Sequence, residues 1–382
     1  MATRMWTIAA ALAAGVALSG SALAQETIKI GIIQPLTGAL AFDGNNGIKG
    51  AKLAAEEINA KGGVLGKKLE LVVEDGQCKP AESVTAAEKL IVRDKVPVLH
   101  GAFCSGATLA VMPVAERNKV PLVTGVSSSP KLTEEKHPWF FRNAESELMT
   151  AQAFAGILYE KMGMKSIYYL AVNDDWGRGT VGAFKETFDA FKAKTIGTEF
   201  VDRTASDFYT PLTKIRAANA DVVIVVAETQ AGSIIAKQAK ELGLKSKIFG
   251  VGAWATPTFM NLAGEAGNGL LSGVVYASTM DSPRNKEFVA AHVKAYGEEP
   301  GKYNAAGYNT VNVIAQAIQR AGAADPEKIR DALEKTDYMS PNGHVKFDSH
   351  HQAVGLELVL VEIQNKVPVV KATGIGKSPY DK

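Results

Sequence analysis

The sequence predicts an α/β chain folded as two doubly wound parallel-sheet lobes joined by three hinge strands. Three observations lead there. Short runs rich in Val and Ile alternate with longer amphipathic segments, the pattern of parallel βαβ units. That series runs through once and then starts again, which gives two similar sets of units. The chain of 382 residues, even when shortened to roughly 360 by loss of a leader, is longer than one hydrophobic core usually serves.

The leader comes first. Arg4, an apolar run over residues 8–18 and the small-residue exit Ala22-Leu23-Ala24 form the order of a cleaved secretory signal. The run is too short to span a bilayer, and no later segment is long and apolar enough to do so. Residues 1–24 are therefore expected to be removed and the mature chain to begin at Gln25, in the periplasm. Both cysteines lie well beyond the cleavage site, so no lipid anchor is expected. They would enter an oxidising compartment, where a disulfide can persist. Two free buried thiols are the alternative.

The first series has strands at 27–34, 68–74, 98–99 and 121–124, with helices at 47–61, 81–94 and 105–119. In the helix at 47–61, Ile48, Ala51, Ala55 and Ile58 share one face and Gly62-Gly63 ends it. The second series follows Phe140-Phe141-Arg142. Its helices are expected at 149–162, 179–191, 208–218 and 231–242, and its strands at 166–171, 198–201, 221–226 and 248–251. Three amphipathic stretches at 285–296, 305–321 and 326–335 are expected to return to the first lobe. A hairpin around Asn365 then crosses back to the second. The N-terminal lobe is thus expected over 26–144 plus 276–348, and the C-terminal lobe over 145–275 plus 349–382.

Charge narrows the partners. Removing Arg4 from the 42 basic residues leaves 41 against 40 acidic ones, and a near-neutral chain without basic tracts gives no reason to expect nucleic acid. Enzyme signatures are missing: there is no Gly-x-Ser-x-Gly elbow, no Gly-rich lysine loop and no His-Glu-x-x-His motif. His100 lies near Cys104 and Ser105 but reads as a structural strand-end histidine. The tandem His350-His351 reads as solvated surface, and Asp174-Asp175 as a helix-entry turn. No enzyme, metal or cofactor is expected.

In open α/β sheets ligands sit beyond the carboxyl ends of the strands. After the third strand comes Gly101-Ala102-Phe103-Cys104-Ser105-Gly106, and after the fourth Val126-Ser127-Ser128-Ser129-Pro130. Each serine alone reads as a helix N-cap. Together they place hydroxyls and unpaired N–H groups at two helix entrances, which suits an anion such as a carboxylate.

The residues Ile28-Lys29-Ile30-Gly31, Leu36-Thr37-Gly38, Ile58-Asn59-Ala60-Lys61-Gly62-Gly63, Asp75-Gly76-Gln77-Cys78, Cys104-Ser105 and Trp176-Gly177-Arg178-Gly179 carry a resemblance. The chain resembles the periplasmic leucine/isoleucine/valine-binding protein family of ABC importers, over almost its whole mature length. The resemblance implies a type I periplasmic-binding fold and a Cys78 to Cys104 disulfide. It implies as partners a small carboxylate-bearing ligand and an inner-membrane permease and ATPase, with the chain acting as a monomer. Around the ligand it places Ser105, Val126 and Ser128, with Phe42 as an aromatic wall and Trp176 facing them from the second lobe; Ser127, within the same serine run, is expected at the site as well.

One departure bears on the ligand. Relatives that bind α-amino acids carry an acid just after the strand at 248–251, where this chain reads Gly252-Ala253-Trp254. A buried ammonium without a counter-charge is costly, so an aromatic or other non-amino carboxylic acid is expected, with Trp254, Trp176 and Phe42 against its body. Glu228 is the compensating acid if the ligand is a branched-chain or other aliphatic amino acid. A ligand-sensing module feeding a chemoreceptor is a third reading. The expected mechanism is closure: the ligand docks on Ser105 and Ser128, and Trp176 and Glu228 then fold over it.

Overall fold

The computed structural model describes residues 26–381; the expected signal segment lies outside them. The first sheet is wholly parallel, built from β1 (Thr27–Gln34), β2 (Lys68–Asp75), β3 (Leu99–His100), β4 (Leu122–Thr124) and β5 (Phe140–Arg142) in the order β2-β1-β3-β4-β5. Its connecting helices are α1 (Ala41–Ala60), α2 (Pro80–Glu88) and α3 (Ser105–Arg117).

The second series runs α4 (Glu147–Gly156), β6 (Ser166–Val172), α5 (Asp175–Ala190), β7 (Lys194–Val201), α6 (Tyr209–Ala218), β8 (Val222–Val226), α7 (Thr229–Glu241), β9 (Lys247–Val251), α8 (Pro257–Ala263) and β10 (Leu271–Val274). After it come α9 (Pro283–Tyr296), α10 (Lys302–Ala321), α11 (Pro326–Leu333), β11 (Tyr338–Ser340), β12 (Gly343–Phe347), β13 (Ala353–Gln364) and β14 (Val367–Ile375). The second sheet has the order β11-β12-β13-β10-β9-β8-β6-β7, with β14 on the far side of β13. The two sheets form the two-lobe fold.

Strand order decides where a ligand can sit. Leaving β1, the chain goes to β2 on one side and then to β3 on the other; leaving β6, it goes to β7 and then to β8. Each reversal parts the loops at the strands' carboxyl ends and opens a crevice. The crevice opens beside β1 and β3 in one lobe and beside β6 and β8 in the other, bordered by the loops after the neighbouring strands β4, β7 and β9. The lobes meet there, with Lys131 Nζ on the first 3.4 Å from Asp175 Oδ1 on the second.

The hairpin around Asn365 is present as β13 and β14. Asn365 and Lys366 both take positive φ, 51° and 62°, the left-handed pair that a two-residue turn between right-twisted strands requires. Helix α10 lies along α1, with Asn304 Nδ2 donating to Asn46 O at 3.1 Å. Among the described residues no helix is long and apolar enough to cross a membrane.

Several helices start earlier than periodicity predicts. Helix α1 begins at Ala41 rather than residue 47, and α5 at Asp175 rather than residue 179. Both starts are rich in glycine and polar residues, which weakens the apolar signal. At Gly177 the reason is contact, since a Cβ there would lie 1.9 Å from Val172 O. A second correction concerns the turn after β4. It leads only into a three-residue 3₁₀ turn, Pro130–Leu132, before the chain turns into β5. Only one of the two expected helix entrances is an α-helix.

The hinge is anchored by Arg142 at the end of β5, which is fully buried. Its guanidinium donates to Gln352 Oε1, to Ser129 O at 2.6 Å and to Thr133 Oγ1. Its neighbour His351 is also buried and stacks on Phe141 with ring centroids 4.1 Å apart. His350 stacks on Tyr380, so the histidine pair is packed rather than the solvated turn the sequence suggested.

Candidate functional site

Between the lobes lies a small cavity with walls from both, a position where small-molecule sites are commonly built. The first lobe supplies Ser105, Val126, Ser127 and Ser128, and the second supplies Trp176, Glu228 and Gly252. These residues, expected from strand ends or from the family resemblance, share one cavity because both sheets turn their strands' carboxyl ends toward it.

The three serines do different work. Ser105 opens α3, whose cap position, Cys104, makes no side-chain cap bond. The first N–H groups of the helix therefore lack partners. Ser105 Oγ accepts from Ser129 N at 3.2 Å, which leaves the hydroxyl proton free to donate into the cavity. Ser127 Oγ instead donates to Phe103 O at 2.8 Å and lies 2.7 Å from Thr108 Oγ1, bracing the two loops against each other. Ser128 Oγ donates to Glu147 Oε1 at 2.8 Å. The Cys78–Cys104 disulfide, Cα atoms 5.4 Å apart, fixes the residue before Ser105 to the loop after β2.

Opposite stands Trp176, in the first turn of α5. Its Nε1 donates to the same Glu147 oxygen at 2.8 Å. Arg203, after β7, pairs with both Asp174 and Glu228 and lies 5.8 Å from the Trp176 ring. Glu228 holds the cap position of α7 without capping it, because its carboxylate is turned to Arg203. At Gly252 φ is +134° and a Cβ would lie 2.8 Å from Ala227 O. An acidic side chain there would be strained by both the backbone and the contact.

Two expected wall residues lie elsewhere. Trp254 is fully buried in the core of the second lobe, its Nε1 donating to Ala227 O at 2.7 Å and its ring stacked on Phe259 with centroids 4.8 Å apart. It reaches no cavity because Gly232 and Gly250 leave room for its ring inside the lobe. Phe42 is 40% exposed and lines a neighbouring chamber, which shares Lys302 and Tyr303 with the first as wall residues.

Sequence reasoning missed Phe103, Arg203, Lys302 and Tyr303, all of which line the cavity. Arg203 follows a strand and was open to the same rule as Glu228. Lys302 and Tyr303 head α10, ahead of its expected start at residue 305. Lys302 Nζ pairs with Glu145 Oε1 at 2.6 Å, both buried. Burial opposes the ammonium charge, but the Glu145 and Glu147 carboxylates outweigh it and hold the Lys302 pKa above the ordinary value. Glu147, buried at the start of α4, is pushed up in pKa by desolvation, and its Oε2 has no hydrogen-bond partner. Among the described residues no group of three or more His, Cys, Asp or Glu could hold a metal ion.

Comparison with known proteins identifies the family and the fold. The periplasmic binding protein family matches residues 27–367. A leucine-, isoleucine-, valine-, threonine- and alanine-binding protein of Pseudomonas aeruginosa is 30% identical over 92% of this chain and 94% of its own. The branched-chain amino acid transporter substrate-binding protein of Streptococcus pneumoniae, solved with isoleucine, superposes with TM-score 0.84 at 28% identity, covering 92% of this chain and all of the other. A solute-binding protein of an ABC transporter from Rhodopseudomonas palustris, solved with 3,4-dihydroxybenzoic acid, gives TM-score 0.84 at 27% identity over 92% and 99%. The chain therefore belongs to the periplasmic binding proteins of ABC importers, in the leucine/isoleucine/valine-binding family.

Proposed function

We propose that this protein captures a small carboxylate-bearing molecule between its lobes in the periplasm and delivers it to a membrane permease and its ATPase. The lobes are taken as 26–144 plus 276–348 and 145–275 plus 349–382. The carrying observation is Ser105, which lines the cavity with its hydroxyl proton uncommitted and heads α3, whose start has no side-chain cap. A helix start with spare donors favours an anion. Ser128, also expected to bind the ligand, lines the cavity with its hydroxyl donated to Glu147.

For the rest of the ligand the first reading is an aromatic or other non-amino acid. Gly252 stands where an ammonium partner is expected, Glu228 is neutralised by Arg203, and Phe103, Trp176 and Tyr303 offer ring faces. A second reading, an aliphatic amino acid, is favoured by the acids close to the cavity: Glu228 lines it, and Glu147, held behind the lining residues Ser128 and Trp176, has an Oε2 without a donor. The relatives bind ligands of both kinds.

Isothermal titration with leucine, isoleucine, benzoate, 4-hydroxybenzoate and 3,4-dihydroxybenzoate tests this. Heat from the benzoates alone supports the first reading, and heat from the amino acids alone supports the second. Binding of uncharged amides or sugars with no response to any acid contradicts the proposal.

A further inference from the structure

Asp43 sits in the first turn of α1, on the first lobe, and is only 3% exposed. Among the described residues the side-chain donor to its carboxylate comes from the other lobe: Thr229 Oγ1, at 3.0 Å, on the first residue of α7. That helix opens without a side-chain cap, since Glu228 is committed to Arg203. The Asp43 carboxylate thus faces a helix start whose own cap residue is engaged elsewhere. Chambers on both sides of Asp43 have walls from both lobes, with Arg203 and Ala231 on one side and Thr229 and Thr256 on the other. Rotating the lobes apart removes Thr229 and returns the carboxylate to water.

We propose that Asp43 and Thr229 form a latch across the cleft, made only in the shut protein and favoured when Asp43 carries a proton. Asp43 is a positioning residue here: it acts on closure without being assigned to the ligand. The charged and titratable groups around it are Arg203 after β7, Glu228 at the head of α7, Lys302 and Tyr303 at the head of α10, and Glu298 and Glu299 just before it. Burial raises the Asp43 pKa to about 7 in the shut form, opposed by the Thr229 hydrogen bond and by Arg203. Exposed in an open form, the same carboxyl returns toward 3.8. A carboxyl whose pKa is higher in the shut state takes up a proton on closure. Shutting is therefore favoured as pH falls from about 7 toward 4 and opposed above about 7, where a carboxylate anion must be buried.

The test needs no ligand, so it stands apart from the identity of the captured molecule. Lys61→Cys and Lys245→Cys place spin labels at exposed points remote from the cleft, at the end of α1 and before β9. The two native cysteines are bonded to each other and take no label. Inter-label distances are measured on the ligand-stripped full chain at pH 5 and pH 8. The shut population should be at least about threefold larger at pH 5. Asp43→Asn keeps an acceptor for Thr229 and should hold that larger population at both pH values. Thr229→Val, which leaves the carboxyl without its donor, should lower the population at both. Glu145, Glu147 and Glu228 are further buried carboxyls beside the cleft, so an Asp43→Asn protein that keeps the wild-type pH response overturns the latch. An unchanged distance distribution in Thr229→Val does so as well.

Discussion

Trp176 Nε1 donates to Glu147 Oε1 at 2.8 Å, and the same oxygen takes the Ser128 hydroxyl from the opposite lobe. One buried carboxylate thus ties the two walls of the cavity together when the cleft is shut. Glu147→Ala leaves an indole N–H and a hydroxyl unpaired in the closed form, a loss of about 1–3 kcal/mol. Affinity for the tightest acid in the titration series should fall about 10-fold or more by calorimetry, whereas Glu147→Gln, which keeps an acceptor, should lose much less. Equal affinity in Glu147→Ala would separate the bridge from closure.

Ser105 and Ser127 differ in what their hydroxyls do, and substitution should separate them. Ser105→Ala removes the free donor and should weaken carboxylate binding by about 1–2 kcal/mol with little change in melting temperature. Ser127→Ala cuts the brace to Phe103 and Thr108 and should lower stability by about 1 kcal/mol while affinity changes less. Paired melting curves and titrations of the two variants check this; the reverse pattern contradicts it.

The disulfide closes a loop of sequence separation 26 under the start of α3. In the chain-entropy picture such a bridge contributes roughly 3 kcal/mol. Reduction should lower the melting temperature, and at temperatures where the fold survives it should also weaken ligand binding, because Cys104 precedes Ser105. Melts with and without dithiothreitol, followed by titration of the reduced protein, check both effects.

His100, at the end of β3, is 1% exposed, and burial pushes its pKa down to about 4, with the Val123 carbonyl at 3.2 Å only partly offsetting this. The unfolded chain binds the proton near the ordinary value of 6.5. Between about pH 6.5 and 4 the unfolded state therefore holds more protons, and stability falls as pH falls. His100→Asn should remove up to about 1.4 kcal/mol per pH unit from that slope. Denaturant titrations at pH 7, 6 and 5 read it, and identical slopes in both proteins contradict the assignment.

The sequence reaches Ser105 and Glu228 because each follows a strand, at the end where ligands sit in open α/β sheets, and reaches Trp176 only through the family resemblance. It reaches the hairpin at Asn365 through turn chemistry. It does not reach Lys302 and Tyr303, since nothing local in a returning helix says which crevice its first turn will face. Glu147 escapes for a related reason: with α4 expected from residue 149, it reads as linker. Trp254 shows the opposite error. Nearness in sequence to Gly252 suggested a shared wall, but alternation along the chain and two facing glycines turn its ring into the core. The short strands β5, β11 and β12 carry too few residues to show a period.

The most direct measurement is a crystal structure of the protein with the tightest acid of the titration series. The ligand carboxylate should lie within hydrogen-bond distance of Ser105 Oγ and the first N–H groups of α3, with Trp176 closing over it. A ligand held with its carboxylate turned away from α3, or seated outside the space between the lobes, would contradict the account.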